Sequence, residues 1–231
     1  MTPVIPDFEY RRVSVADDVT LNAAVGGSGS PVVLLHGFPQ THLMWRHVAA
    51  DLATDHTVIC PDLRGYGDSD KPAESDATTY SKRTMGHDIV ALAAALGHER
   101  FALAGHDRGA LVAFRTAMDH PEVVTHLGSL DVLPTLDMWN VMHGASAAVG
   151  FHLYLMAQPP GLAETMIANS ADAFFGHFLD AWTKSPDDYR ATAGIDIVHD
   201  QADLDAGHQF RMPVTVIQQD WGAALGYDPH A

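Results

Sequence analysis

The residues best placed to do chemistry lie in Phe101-Ala-Leu-Ala-Gly-His-Asp-Arg-Gly109. Gly105 and Gly109 each stand two residues from Asp107. A sharp strand-to-helix turn needs small neighbours at that spacing, so that one side chain can stand clear of a sheet. Such elbows usually carry serine at the centre; here the centre is a carboxylate. A carboxylate nucleophile points to attack on an sp3 carbon and an ester intermediate. The pattern has meaning only between a strand and a helix, and Leu103 before it with Ala110–Arg115 after it supply that setting.

Asp131 is the second carboxylate of interest. It ends the apolar run Leu127-Gly-Ser-Leu130, which sets it beside the elbow if consecutive strands are neighbours. There it could orient a histidine in a nucleophile–base–acid arrangement, or simply cap a loop or helix. His36-Gly-Phe-Pro39 also follows a buried strand. Around Phe38, a backbone N–H could join the N–H of Arg108 in a nest for an oxyanion or halide. The planar donors of Arg108 suit a substrate carboxylate, or a structural ion pair. His106 precedes the nucleophile and should point away from it.

Other candidate sites are weaker. His87, His98, His120, His126, His177, His199 and His230 have no metal-site spacing, and there is no H-E-x-x-H helix. Asp62, Asp68 and Asp70 crowd one loop without the full calcium-loop pattern, so they read as caps and turn formers. Gly65-x-Gly67 lacks the third glycine and the strand-into-helix setting of a dinucleotide fingerprint. The chemistry proposed for Asp107 requires no cofactor and no metal.

The elements that must hold these residues can be read in order. Residues 8–13 and 19–25 look like paired strands joined at Asp17-Asp18. Pro31–Leu35 is wholly apolar, as in a strand covered on both faces. A helix over 41–52, a strand over 57–60, a helix from about Tyr80 to Leu96 closed by Gly97, the elbow unit, and a strand over 124–130 follow. This alternation predicts an α/β fold with a mostly parallel sheet, right-handed crossovers and ligands at the C-terminal strand ends. Residues 137–189 carry Trp139, Met142, Phe151, Tyr154, Phe174 and Trp182 in mostly helical spacing. They read as a helical lid whose aromatics pack its core or its contact with the sheet. Met212–Gln218 returns to the sheet. The expected division is core 1–136, a shortened helical cap 137–200, and an incomplete return to the core over 201–231.

Composition bounds the function. The chain has 231 residues, 47% of them apolar and 18% charged, which suits one sizeable core. Its net charge of −16, from 13 basic and 29 acidic residues, argues against a broad nucleic-acid surface. A single cysteine, Cys60, excludes an internal disulfide framework. No basic-then-apolar leader and no 18-residue apolar run are seen, so no membrane segment is expected and a cytoplasmic location is the default.

With these residues in place the chain resembles the α/β-hydrolase superfamily, and more narrowly its fluoroacetate (haloacetate) dehalogenases and their epoxide-hydrolase relatives. The resemblance rests on His36-Gly-Phe-Pro-Gln-Thr-His42, Asp62-Leu-Arg-Gly-Tyr-Gly-Asp-Ser-Asp70, Gly105-His-Asp-Arg-Gly109, Leu130-Asp-Val-Leu-Pro134 and Met156-Ala-Gln-Pro159. It implies a small-molecule substrate, a halogenated acid or an epoxide. Asp107 would displace halide to give a glycolyl ester, and a histidine-activated water would cleave that ester. Arg108 would hold the substrate carboxylate, Asp131 would orient the histidine, and His152 with Tyr189 would contact the halide.

Three departures accompany the matches. Leu111 stands where these dehalogenases carry a second carboxylate-binding arginine. Leu153 follows His152 where they pair histidine with tryptophan, and leucine has no N–H to donate. The catalytic histidine expected after the last strand is not matched: His208 precedes the strand at 213–218, and His230 has no following element. Asp188-Tyr189-Arg190 also resembles a motif that normally comes tens of residues later. These departures predict an impaired homologue, able at most to bind or be alkylated, as the alternative to a working hydrolase. They also predict an absent C-terminal strand and helix, an exposed edge at 213–218, and a possible homodimer.

Overall fold

The structure, a computed structural model, describes residues 4–73, 76, 78–144, 147, 150–177 and 195–217. Strands β1 (Glu9–Ala16), β2 (Val19–Gly27) and β3 (Ser30–Leu35) lead into a short 3-10 turn and α1 (Arg46–Leu52). Then come β4 (His56–Pro61), α2 (Lys82–Ala95), β5 (Phe101–His106), α3 (Arg108–Asp119) and β6 (Val124–Leu130). Helices α4 (Thr135–Val141), α5 (Phe151–Met156), α6 (Leu162–Asn169), α7 (Ala171–His177) and α8 (Ile195–Ala206) precede β7 (Val214–Ile217).

The strands form one sheet in the order β1-β2-β4-β3-β5-β6-β7. β1 and β2 pair antiparallel, as do β2 and β4, whereas every pair from β4 to β7 is parallel. Val33, Leu34 and Leu35 of β3 and Val58, Ile59 and Cys60 of β4 are buried, as continuous apolar runs in covered parallel strands should be. Ala110, Val112, Ala113 and Ala117 let α3 lie close against β5 and β6. Ser81 caps α2 by accepting the Thr84 N–H at 3.1 Å, and Gly97, with φ of +89°, closes it.

The expected return to the sheet is found at β7, which pairs parallel with β6 and is exposed along its length. Among the described residues it is an edge strand, and Val216 and Ile217 are about 60% exposed. No helix among the described residues is long and apolar enough to cross a membrane. The motif around Tyr189, together with Trp182, Trp221 and His230, lies outside the described residues.

α8 runs across the boundary expected at residue 200, and it docks with inverted polarity. Asp196, Asp200 and Asp203 are spaced four and three residues apart, so they share one helical face, and that face points inward. Asp196 accepts the Lys82 N–H at 2.8 Å and lies 3.9 Å from the Lys82 Nζ. Arg115 of α3 meets Asp200 at 3.5 Å, pairs also with Asp203, and reaches Asp119 at 2.9 Å, which Arg83 holds from the other side. Val198 and Leu204 face outward at 60% and 65% exposure. Charge, rather than apolar burial, seats this helix on α2 and α3.

Burial pushes the Asp200 carboxyl up to about 6; Arg115 pulls it down, while Asp196 and Asp203 push it further up. The folded chain therefore holds this proton more tightly than the unfolded chain does. Stability from Asp200 is complete below about pH 4 and is lost as pH rises through about 6. The span corresponds to at most about 3 kcal/mol. Asp200→Asn should remove that loss: relative to wild type, its melting temperature should rise by several degrees at pH 7.5 and little at pH 4.5. Equal shifts at both pH values in a thermal melt would refute this account.

Candidate active site

Three strand ends meet at the C-terminal edge of the sheet. In the parallel register Leu35 pairs with Gly105, and His106 pairs with Leu130. The residues just beyond them, His36-Gly-Phe, Asp107 and Asp131, are thereby brought side by side. Asp107 sits between β5 and α3 with φ of 50° and ψ of −119°, a conformation that side-chain-bearing residues avoid, at roughly 1–3 kcal/mol. Its N–H donates to the Leu130 carbonyl at 3.1 Å, and its carbonyl accepts the Ala110 N–H at 2.9 Å. Those two bonds hold the turn.

Both flanking glycines are required by contact. A Cβ on Gly105 would stand 2.3 Å from the Gly109 carbonyl oxygen, and one on Gly109 would stand 2.3 Å from that of His36. The elbow expected from Gly105-x-Asp107-x-Gly109 is therefore formed. Gly37 presses on Asp107 itself: a Cβ there would lie 2.9 Å from Asp107 Oδ2.

The Phe38 N–H donates to Asp107 Oδ2 at 2.8 Å. The Phe38 half of the expected nest thus grips the Asp107 carboxylate, and this position suits an oxyanion developing on that oxygen. His36, fully buried, fixes the loop. Its Nε2 accepts the Leu63 N–H at 3.0 Å, so Nδ1 carries the proton and donates to the Gly37 carbonyl at 2.9 Å. Burial lowers His36 from the ordinary histidine value, against the pull of Asp62. It stays neutral with one tautomer selected.

Asp62 anchors the layer beneath. It accepts the His42 N–H at 2.9 Å, His42 Nδ1 at 2.7 Å, Asn22 Nδ2 at 3.0 Å and the Asp68 N–H at 3.0 Å. Burial alone would raise this carboxyl, but hydrogen bonds and charge from His42 and His36 hold it far below its usual range. Asp70 accepts the Thr20 N–H at 2.8 Å, so these acids serve as loop ties, as their pattern suggests. His106 leans on Gln40 at 3.2 Å, away from the elbow's exposed side.

One cavity of about 140 Å³ gathers most of the expected residues: Asp107, Arg108, Asp131 and His152 line it. Phe38 stands at its margin, its ring parallel to His152 with centroids 6.1 Å apart. Asp131 has φ of 56°, a left-handed conformation that aspartate tolerates, and its N–H donates to Ile217 at 2.7 Å. Arg108 is fully buried. Lys82, also buried, is pushed well below the ordinary lysine range by burial and by Arg108, while Asp196 and Asp107 oppose the shift. Leu111 is buried in α3 and does not line the cavity, whereas Leu153 does. His208 lies ahead of β7, beside Asp203 at 2.6 Å, at the far end of the sheet from Asp107. No cluster of three or more metal-ligating side chains is found among the described residues.

Several participants carry no sequence signal of their own. Met138, Val141 and Met142 form cavity wall with Val132 and Leu133, although their helical spacing reads as ordinary lid core. His36, Lys82 and Asp196 act through burial and through partners far away in the chain, which spacing does not reveal.

The family model for the α/β hydrolase fold matches residues 30–180. The chain is 39% identical to a fluoroacetate dehalogenase from Burkholderia sp., covering 93% of this chain and 79% of that one. It is 38% identical to a soluble epoxide hydrolase from a Corynebacterium strain, over 69% of this chain and 54% of the relative. A Pseudomonas aeruginosa structure provisionally described as an epoxide hydrolase superposes with a TM-score of 0.87 at 38% identity, covering 95% and 82% of the two chains.

The glycine contacts predict graded damage. Gly109→Ala drives a Cβ into backbone oxygens and should destabilise the fold by more than about 2 kcal/mol. Gly37→Ala meets Asp107 Cβ at 2.7 Å and the His106 carbonyl oxygen at 2.9 Å, a milder overlap than the 2.3 Å at Gly109, and it also displaces Asp107 Oδ2. It should lower the rate of Asp107 chemistry by at least about tenfold with a smaller change in denaturation midpoint. Denaturant melts and activity assays on the two variants would expose the idea as wrong if the order were reversed.

Proposed function

The chain belongs to the α/β-hydrolase family, and on that premise we propose that it hydrolyses the carbon–halogen bond of a small 2-halo acid through an Asp107 ester. The observation that carries this reading is the 2.8 Å bond from the Phe38 N–H to Asp107 Oδ2. It assigns different work to the two oxygens of one carboxylate. Oδ1 attacks the sp3 carbon, the carbon–halogen bond breaks, and halide leaves with the bonding pair. Oδ2 becomes the ester carbonyl oxygen. Water then adds to Cγ, and the charge that collects on Oδ2 is already faced by the Phe38 donor. Collapse releases the 2-hydroxy acid and a proton and restores Asp107.

Arg108, buried at the mouth of α3, supplies the positive charge for an acid substrate. The resemblance gives Asp131 the role of orienting a water-activating histidine after β7, a position that this sequence does not match. His152 meets the leaving halide, a role the resemblance shares with Tyr189. The similarity to the Burkholderia dehalogenase supports the halo-acid reading.

A second reading is favoured by Leu111 and Leu153, which replace polar groups in the dehalogenase pattern. An epoxide would need neither, and the epoxide-hydrolase relatives support it. Asp107 would then open the ring at carbon, and the freed alkoxide would take a proton.

Incubation with chloroacetate and fluoroacetate, followed by halide release and intact-protein mass, tests the proposal. At least one halide per chain should appear, with a carboxymethyl group on Asp107 wherever hydrolysis is slower than alkylation. Asp107→Asn should abolish both, a loss of more than about a thousandfold. Halide release that survives in D107N, or a folded wild-type chain giving neither halide nor adduct, would remove the proposal.

A further inference from the structure

Away from the cavity, the fold brings together two imidazoles that lie far apart in the chain. His87 of α2 and His120, which follows α3, have ring centroids 5.2 Å apart and planes inclined at 70°. Two imidazoles sharing one tetrahedral metal, about 2.0–2.1 Å from each ligating nitrogen, have centroids roughly 5 Å apart and need no parallel planes. An edge-on ring pair without a metal has a similar spacing. The surroundings decide between the two.

They favour a metal. His120 Nε2 is buried and has no hydrogen-bond partner among the described residues. Its Nδ1 stands 3.8 Å from the Glu122 carboxylate. That is too long for a hydrogen bond, yet it puts the acid where carboxylates orient a metal-ligating histidine. With the Nδ1 proton turned toward Glu122, Nε2 carries the lone pair. His87 is exposed, so its ring can swing and admit a cation from solvent. Arg83 lies one turn before His87 on the same helical face. Asp119 holds that arginine at 2.8 Å, which matches its charge and ties α2 to the end of α3 beside the pair. The net charge of −16 also draws cations to the surface.

We propose that His87 and His120 form a two-histidine site for zinc, or another divalent cation that prefers imidazole, with Glu122 orienting His120. Copper and nickel share that preference, whereas magnesium and calcium require oxygen ligands. Two protein ligands leave the remaining positions to water, so the ion is exchangeable. The site is thus distinct from a centre of three or more ligating side chains, which is not found among the described residues. Its work is mechanical: the ion joins α2 to the end of α3, the helix that begins at the Asp107 elbow, without entering the cavity. Nothing in the inference depends on the chemistry of Asp107.

Calorimetry of the full chain with zinc chloride should show about one ion bound per chain, with an affinity that falls at least about tenfold in His87→Ala and in His120→Ala alike. Glu122→Gln should weaken it by several-fold. His47→Ala, which removes an exposed histidine on α1, should leave it unchanged. Zinc at about a hundred times its dissociation constant should raise the melting temperature of the wild type by several degrees. Magnesium should not, and the zinc shift should vanish in both histidine variants. Melts in chelator establish that the variants are folded. Zinc bound equally well by folded H87A and H120A, or lost equally in H47A, would place the binding elsewhere and overturn the inference. So would a wild type that takes up no zinc at millimolar concentration.

Discussion

Everything at the site depends on how closely α3 approaches the end of β3. Gly109 passes so near the His36 carbonyl that a Cβ would fall 2.3 Å from it. No dispersion gain compensates an overlap of that size. With hydrogen there, the first turn of α3 drops against the sheet and Asp107 is forced into its left-handed conformation. The strain is then local and over-determined by the Leu130 and Ala110 bonds. A residue in that posture cannot relax into either the strand or the helix, so its carboxylate remains at the sheet edge, where Asp131 and Phe38 also arrive.

The seating of α8 obeys a different constraint. Asp196, Asp200 and Asp203 turn inward toward Lys82 and Arg115, and apolar residues turn out. Buried ion pairs add little net stability, because desolvation offsets most of the attraction. They are nevertheless demanding about register. Sliding α8 by one turn would leave charges buried without partners, which is far more costly than a misplaced leucine. The arrangement therefore specifies where the helix sits more strongly than it holds it. Leu136 of α4 interacts with Asp200, and α4 also supplies Met138 and Val141 to the cavity. The acidic face thus ties the wall of the pocket to α3.

Legibility in the sequence followed the range of the interactions. The parallel order, the elbow and the strand ends before His36, Asp107 and Asp131 could be read because each depends on contiguous residues: apolar runs, a glycine spacing, a closing Gly97. Asp107, Arg108, Asp131 and His152 do share one cavity, and Phe38 borders it. What could not be read depends on distant partners. The Phe38 N–H was expected to wait for substrate, yet it engages Asp107, because the approach of Gly37 is set by tertiary contact. The acidic face of α8 resembles a solvated surface until Lys82 and Arg115 are placed beneath it. Met142 resembles lid core until it is found on the cavity wall.

The polar layer below Asp107 fixes the backbone N–H that faces it. Asp62 gathers His42, Asn22 and Asp68, which fixes the loop that presents the Leu63 N–H. That N–H must be accepted by His36 Nε2, which leaves the ring proton on Nδ1 and directs it to the Gly37 carbonyl. Each bond in this series has its donor determined by the one before, so the peptide leading to Phe38 cannot rotate without losing one of them. A second proton on His36 would remove the acceptor for Leu63, and burial already disfavours that charge. The donor facing Asp107 Oδ2 is therefore a fixed dipole, held by a neutral His36 above the Asp62 carboxylate. Among the described residues that line the cavity, Asp107, Arg108 and Asp131 bring the charge. Such a division lets the dipole meet a developing oxyanion without reorganising, while the charges remain available to bind substrate.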